Sequence, residues 1–233
     1  MLPPFWALAA IAWRQYILRF DAILFGHLLF TVPTVALAIY LKQPFPISEA
    51  ASTLADIWPN GLIRLGIDYG ASLLALPVVA IIVLRMKAGV EHHPLTLWAS
   101  TRLALALLPA LLAVRILETV ASLIGFTLLI IPGLVVAAIF ALVMPMIIWK
   151  GLSVMQAIAQ VWKLIRGQLV WITIYLFAVQ LLINMIMLLI VWGLPVNAWF
   201  DLFVGSVSAI CVSYYTVFAV ILLNTLDSKA QSA

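Results

Sequence analysis

The sequence predicts an all-α integral membrane protein with six transmembrane helices. Hydrophobic residues make up 67% of the chain, charged residues make up 9%, and the mean hydropathy is +1.24, whereas soluble domains contain about 25% charged residues. The apolar runs are each about 20 residues long, which is the length that crosses the hydrocarbon of a bilayer. They lack the short alternation of polar and apolar residues that a transmembrane β-barrel requires. We therefore expect a single polytopic membrane domain over residues 1–233.

Prolines, glycines and charged residues divide the apolar sequence into its spans. Pro33 lies inside the first span and can kink it, a cost that neighbouring membrane helices absorb. The longest polar stretch, residues 43–60, is expected to be an exposed loop after that span. The six spans are predicted at about 21–42, 62–85, 108–130, 134–149, 169–192 and 199–224.

The third and fourth spans are joined by Ile131, Pro132 and Gly133. Proline fixes φ and glycine tolerates positive φ, so this pair favours a tight hairpin turn. We therefore predict Pro132 and Gly133 as the hinge of the hairpin. Gly193, Leu194 and Pro195 predict a similar turn between the fifth and sixth spans.

Three shorter segments combine tryptophan with arginine or lysine, and each precedes a pair of spans. We predict amphipathic interfacial helices at 4–19, 94–107 and 152–167. In the last of these, polar residues recur every three or four positions, which is typical of a helix lying flat on a membrane. The predicted architecture is therefore three transmembrane hairpins, each preceded by an amphipathic cytoplasmic helix, in the manner of a repeat. In the predicted helix 152–167, the recurring polar residues that form one stripe are Ser153, Gln156, Gln160, Lys163 and Gly167.

Lysine and arginine predict the orientation, because these residues are retained on the cytoplasmic side. With the N-terminus inside, nine of the twelve fall on the near side, two (Lys42 and Arg64) fall on the far side, and Arg115 lies within a span. Both termini are therefore expected in the cytoplasm. The basic excess is spread over the interfacial helices, so it favours anionic lipid headgroups and not nucleic acid as the partner. The headgroup candidates are Arg14, Arg102, Lys163 and Arg166.

Polar residues inside spans are the other candidates for function, because ionisable groups in hydrocarbon are costly and are usually paired or functional. Arg115 and Glu118 stand at i,i+3 and can form an ion pair that fixes helix packing, or a proton or ion relay. His27 in the first span is either a packed neutral histidine or a titrating switch. Gln180 and Asn184, at i,i+4, either hold helices together or line a polar cavity.

Signatures of catalysis are missing from the sequence. It contains no glycine-rich phosphate loop, no His-Glu-x-x-His and no serine nucleophile elbow, and it has no paired carboxylates. Glu91, His92 and His93 are adjacent, but the sequence places no further metal ligand with them. We expect no enzymatic activity, no cofactor and no metal site.

The third and fourth spans and the helix after them carry a set of residues that matches a known family. These residues are Leu108-Pro109, Ile131-Pro132-Gly133, Pro145, Ala157, Trp162, Leu164 and Gly167. With them, the segment 131–168 resembles the YciC-like inner-membrane proteins of Gram-negative bacteria. It is similar, more distantly, to the membrane domains fused to some bacterial glycerophosphodiester phosphodiesterases. The resemblance implies a six-span protein of the bacterial inner membrane with its N-terminus inside, and it brings no established catalytic or binding residues. Lys150 departs from the broader group, where many relatives carry an acidic residue, and the 43–60 loop has no counterpart.

These observations lead to one main functional expectation and two alternatives. The first is a non-enzymatic envelope or lipid-associated scaffold or accessory protein that contacts lipid and a membrane-protein partner. The second is a transporter of small molecules or lipids, with a path past Arg115, Glu118 and Asn184. The third, an enzyme acting on lipid, is favoured only by the fused relatives.

Overall fold

The computed structural model describes residues 2–44, 62–63, 66–67, 69–93, 95–128, 130–193 and 200–231. A π-helical turn, His27–Thr31, joins the second and third of the helices. The described part of the chain contains no strand. Its helices are α1 Phe5–Leu18, α2 Phe20–Gly26, α3 Val32–Lys42, α4 Leu76–Val90, α5 Leu97–Leu128, α6 Ile130–Lys150, α7 Val154–Ile165, α8 Leu169–Gly193 and α9 Phe200–Gln231.

Six helical segments are long and apolar enough to cross a membrane, which confirms the predicted fold class. The chain is therefore a multi-pass α-helical membrane protein. Its second span begins before α4, and part of the predicted 62–85 segment lies outside the described residues. The spans are Phe20–Lys42, Tyr69–Val90, Leu97–Gly125, Ile131–Lys150, Leu169–Trp192 and Phe203–Ala230.

The first span is irregular next to Pro33, where the sequence predicts a kink. Pro33 is the second residue of α3, and the π-helical turn His27–Thr31 comes directly before that helix. Proline has no N–H to donate to the preceding turn, and a single π turn is a common way to absorb such a break. The irregularity places His27 within the turn.

The prediction of a separate interfacial helix at 94–107 is wrong. α5 runs without interruption through 32 residues and has Pro109 inside it. At 1.5 Å per residue it is about 48 Å long, whereas the hydrocarbon is about 30 Å thick, so about three turns extend beyond the bilayer core. Pro109 removes one backbone hydrogen bond, and a membrane helix tolerates that loss when it packs against neighbours. Of the three predicted helices, α1 and α7 stand apart from the spans in the described part of the chain, and the 94–107 segment does not.

The predicted turn at Pro132 and Gly133 is also misplaced. Both residues lie in the first turn of α6, which begins at Ile130. Residue 129 lies outside the described residues. Proline suits a first helical turn because its missing N–H would have no partner there. Gly133 allows close contact instead: a Cβ built on Gly125 would stand 2.8 Å from the Gly133 Cα. The pair brings α5 and α6 together, as small residues do in membrane helices.

The other predicted boundaries agree more closely with the structure. α6 ends at Lys150, as expected, and Gly151 takes a positive φ of 67° that continues the chain out of the helix. α8 ends at Gly193, but the predicted Gly193-Leu194-Pro195 turn falls mostly on residues 194–199, outside the described residues. α9 continues past the predicted limit of 224 to Gln231.

The core of the bundle is formed by α4, α6 and α9, whose facing sides are fully buried. α9 contacts α1, the first span, α4, α6 and α8, which makes it the central helix. α5 and α8 lie at the periphery, since they are the least buried of the six spans. Fully buried side chains of the core include Ile81, Ile82, Leu142, Met146 and Phe218.

One end of the bundle collects α1 and the last turns of α4, α6 and α9. Gln15, Val90, Trp149 and Asn224 line a common cavity of about 330 Å³ there. Lys150 Nζ lies 2.7 Å from Asp227 Oδ1 and ties α6 to α9 at the same level. We call this the α1 end.

Candidate functional site

α1 is anchored to α9 by aromatic side chains and by hydrogen bonds to backbone carbonyls. The Tyr16 hydroxyl donates to the Ile210 carbonyl at 2.9 Å, and the Tyr214 hydroxyl donates to the Ala9 carbonyl at 3.0 Å. Burial, with a smaller contribution from the Cys211 thiol, raises the pKa of Tyr16 to about 12, so its hydroxyl remains a donor at neutral pH. Ala12 is fully buried between these contacts. α1 is therefore part of the bundle and not a loosely attached segment.

Arg19 occupies the corner between α1 and the first span. Its φ of −115° and ψ of 13° are not helical, so the chain changes direction there. The Arg19 guanidinium lies across Gly89 of α4, with Cζ 2.9 Å from the point where a Cβ of residue 89 would stand. Glycine at 89 leaves room for the guanidinium in this position, whereas a Cβ there would displace it, because real Cβ contacts are not that short.

Arg85, one turn before Gly89 on α4, faces the same space. Its Nη2 lies 2.8 Å from Asp21 Oδ2, and its Nη1 donates to the Leu95 carbonyl. Arg19 and Arg85 line a cavity of about 330 Å³ together with Gly89 and His92. The Nε atoms of both arginines are buried, and neither has an acceptor among the described residues.

His92 completes this cavity in an unusual backbone conformation. The His93 N–H donates to the Ala88 carbonyl at 3.1 Å, which closes α4 in a Schellman arrangement. His92 therefore takes the left-handed position, with φ 56°, which is normally glycine. We call the cavity lined by Arg19, Arg85, Gly89 and His92 the basic pocket. Sequence reasoning used its arginines only to assign orientation, and their separation along the chain gave no signal that they meet.

The four headgroup candidates named from the sequence are all exposed, and they lie on three helices. Arg14 is on α1, Arg102 on α5, and Lys163 and Arg166 are at the end of α7. These cations therefore remain surface groups, in contrast to the arginines of the basic pocket.

α7 is amphipathic, as the polar stripe predicts. Its inner face consists of Ala157, Val161 and Ile165, which are fully buried. Its outer face carries Trp162 and the cations, all exposed. The Ser153 N–H donates to Gln156 Oε1 at 3.1 Å and caps the first turn of the helix. α7 therefore docks on the bundle by an apolar face and presents a basic face outward.

His27 is buried and hydrogen bonded at both ring nitrogens. Nδ1 lies 2.8 Å from Thr31 Oγ1, and Nε2 lies 2.7 Å from Ser213 Oγ on α9. Ser213 in turn donates to the Ala209 carbonyl at 3.2 Å, so its oxygen is free to accept from Nε2–H. This chain of donors suits a neutral imidazole with its proton on Nε2.

Arg115 and Glu118 form the predicted pair along α5. Arg115 Nη1 lies 2.8 Å from Glu118 Oε2, and the side chains are 35% and 18% exposed. The Tyr69 hydroxyl lies 2.8 Å from Thr119 Oγ1, which connects the second span to the same part of α5. The charges are therefore matched within one helix.

Gln180 and Asn184 bond to each other along α8. Gln180 Nε2 donates to Asn184 Oδ1 at 3.1 Å, and Asn184 is exposed at the periphery of the bundle. Neither the basic pocket nor the cavity beside Gln15 is lined by these two residues or by the Arg115–Glu118 pair.

Among the described residues, no three His, Cys, Asp or Glu side chains come together as a metal site would require. Comparison with protein-family models, with curated proteins and with solved structures finds no match to this chain.

Proposed function

We propose that the protein is a non-enzymatic, lipid-associated scaffold or accessory protein of the bacterial inner membrane, of the YciC-like type, with both termini in the cytoplasm. The observation that carries this proposal is the geometry of α7. Its inner residues, Ala157, Val161 and Ile165, are fully buried against the bundle, whereas Lys163 and Arg166 are exposed. A helix held in this way brings cations to the headgroup layer without being able to leave the protein.

The α1 end of the bundle supports the same function. Arg14 is exposed on α1, and α1 itself is tied to α9 by Tyr16 and Tyr214. Fixed cations near a membrane surface attract anionic headgroups by about 1 kcal/mol each. A rigid set of such cations would select anionic lipids over zwitterionic ones.

The experiment measures lipid retention. Wild type and the variant R14Q/R102Q/K163Q/R166Q are purified in full length from bacterial membranes in a mild detergent, and mass spectrometry counts the phosphatidylglycerol and cardiolipin retained per chain. We expect fewer anionic lipids on the variant, because it lacks the four exposed cations. The matched control, R14K/R102K/K163R/R166K, keeps every charge and is expected to retain as much lipid as wild type. Equal retention by the neutralised variant would refute the proposal.

The orientation is tested separately. A cysteine introduced by Lys229→Cys in a Cys211→Ala background is expected to resist a membrane-impermeant thiol reagent in intact spheroplasts and to react after permeabilisation. Labelling of intact spheroplasts at residue 229 would place the C-terminus outside and contradict the assignment.

A further inference from the structure

We propose that the basic pocket is a specific binding site for a phosphate group, such as the headgroup phosphate of an anionic lipid. The inference rests on the proposed lipid-associated function and names a site that differs from the exposed cations. Arg19, Arg85 and His92 converge on one cavity of about 330 Å³, near the lower limit of the volumes that small-molecule sites occupy in proteins.

The charge balance of the pocket favours an anion. Asp21 is the acidic partner of Arg85, at 2.8 Å, and Arg19 has no hydrogen-bond or ion-pair partner for its guanidinium among the described residues. One full positive charge therefore remains uncompensated, and His92 adds a further donor. A guanidinium without an acceptor is unfavourable in a partly buried site, and phosphate oxygens would supply acceptors for the guanidinium of Arg19.

Two backbone carbonyls beside the pocket already have donors. The His93 N–H donates to the Ala88 carbonyl at the end of α4, and Arg85 donates to the Leu95 carbonyl. Free carbonyls at the end of a helix repel an anion, so these two bonds lessen the repulsion that a ligand in the pocket would meet.

The location of the pocket suits a lipid phosphate. Arg19 immediately precedes the first span, and Arg85 and His92 stand at the end of the second. The pocket therefore opens at the boundary between the apolar spans and the connecting segments, which is the depth of the phosphate layer. Because Lys and Arg are biased to the cytoplasmic side, we place it in the inner leaflet.

Two residues allow the site to be tested without removing the ion pair that ties Arg85 to Asp21. Gly89→Ala places a methyl group where the Arg19 guanidinium lies, with Cζ only 2.9 Å from the new atom, so Arg19 is displaced while its charge is kept. His92→Gly removes the imidazole at a position whose φ of 56° glycine adopts without strain, so the end of α4 is kept or improved.

The experiment is calorimetric titration of the purified full-length protein in a neutral detergent at constant ionic strength. The probes are short-chain phosphatidylglycerol, the diacylglycerol of the same chain length, and inorganic phosphate. We expect phosphatidylglycerol to bind at one site and the diacylglycerol not to bind.

R19Q and G89A are each expected to weaken phosphatidylglycerol binding about tenfold, which corresponds to about 1.4 kcal/mol. H92G is expected to weaken it about threefold at unchanged or higher thermal stability. K42Q removes a cation at the other end of the first span, away from the basic pocket and from the four exposed headgroup candidates; it is the matched control and is expected to bind like wild type.

Inorganic phosphate separates the two sources of the ligand. Saturable phosphate binding that R19Q weakens would identify a site for free phosphate, and binding of phosphatidylglycerol alone would identify a lipid site; either result supports the phosphate pocket. The proposal is overturned if wild type binds neither probe, if R19Q, G89A and H92G all bind phosphatidylglycerol as tightly as wild type, or if K42Q weakens binding as much as R19Q does. Loss of lipid from the variant lacking the exposed cations, with no effect of R19Q, would refute the pocket and leave the proposed function standing. A variant that does not fold is replaced by the others, since each perturbs the pocket in a different way.

Discussion

The close contact between Gly125 and Gly133 makes the stability of the α5–α6 hairpin testable by a single methyl group. In Gly125→Ala, the new Cβ would stand 2.8 Å from the Gly133 Cα and 3.1 Å from the Gly133 nitrogen. Carbon atoms in contact are normally about 3.5–4.0 Å apart, so the two helices have to separate by about 0.7–1.2 Å. The atoms that obstruct the methyl group belong to the backbone and cannot rotate away. Overpacking of this kind costs about 1–3 kcal/mol.

The assay is unfolding of the purified protein in mixed micelles with increasing SDS, followed by circular dichroism. We expect Gly125→Ala to unfold at a lower fraction of SDS than wild type, with a free energy of unfolding reduced by about 1–3 kcal/mol. The matched control is Gly70→Ala, also in a helix, where no atom of the described residues lies within 4 Å of the added Cβ. Alanine is favoured over glycine inside a helix by about 0.5–1 kcal/mol, so the control is expected to be neutral or stabilising.

The two variants make the same chemical change and are expected to shift stability in opposite directions. If Gly125→Ala behaved like Gly70→Ala, the gain in helix propensity would be the whole effect, and the close approach of α5 and α6 at Gly133 would be refuted.

Three further predictions use the same unfolding assay. Breaking a fully buried ion pair costs about 3–5 kcal/mol, and Glu118→Gln is expected to cost less because both side chains of the Arg115–Glu118 pair are partly exposed. The double variant R115M/E118L, which removes both charges, is expected to lie within about 1 kcal/mol of wild type. Equal loss of stability in both variants would show that the charges have partners beyond each other. Ser213→Ala is expected to cost about 1–3 kcal/mol, because it leaves a buried nitrogen of His27 without a partner, and an unchanged midpoint would contradict that hydrogen bond. Tyr69→Phe removes the hydroxyl that ties the second span to α5 and is expected to cost about 0.5–1.5 kcal/mol; a neutral result would mean that the tie is absent.

The spans could be predicted from the sequence because hydrocarbon imposes one simple rule. A segment that crosses it has to be helical and apolar for about 20 residues, so length and composition are sufficient, and the predicted ends of α6 and α8 agree with the structure within one residue. α7 could be predicted for the same kind of reason, because its periodic polar stripe is a local property of one helix.

Proline and glycine misled the prediction where their role depends on a neighbouring helix. Pro109 marks a boundary in a water-soluble helix, but in α5 it lies in the interior, because packing in a membrane absorbs the lost hydrogen bond. Pro132 and Gly133 have the composition of a turn, yet they begin α6. The role of Gly133 is set by its distance from Gly125, and that distance depends on how α5 and α6 are aligned, which composition does not encode.

The basic pocket could not be predicted, because it is assembled from two parts of the chain that are distant in sequence, Arg19 and the segment 85–95. Arg19 reaches it only because the chain bends between α1 and α2, and Gly89 admits it only because α4 packs beside that bend. The sequence offered one local clue, a histidine rather than a glycine after the end of α4. A positive φ at His92 becomes visible only once the helix end is known.

The distribution of polar contacts argues for function at the α1 end rather than along a path through the bundle. Arg115 pairs with Glu118 within α5, and Gln180 bonds to Asn184 within α8, so these charged and amide groups are paired within their own helices. A translocation path would instead need polar groups from several helices facing a shared space near mid-depth. Among the described residues, the Tyr69–Thr119 contact joins the second span to α5, and His27 bonds to Ser213 of α9. None of these four residues lines either cavity. The two cavities described above both lie where α1 meets the end of α4, so ligand binding is better placed there, at the membrane surface, than in the middle of the bilayer.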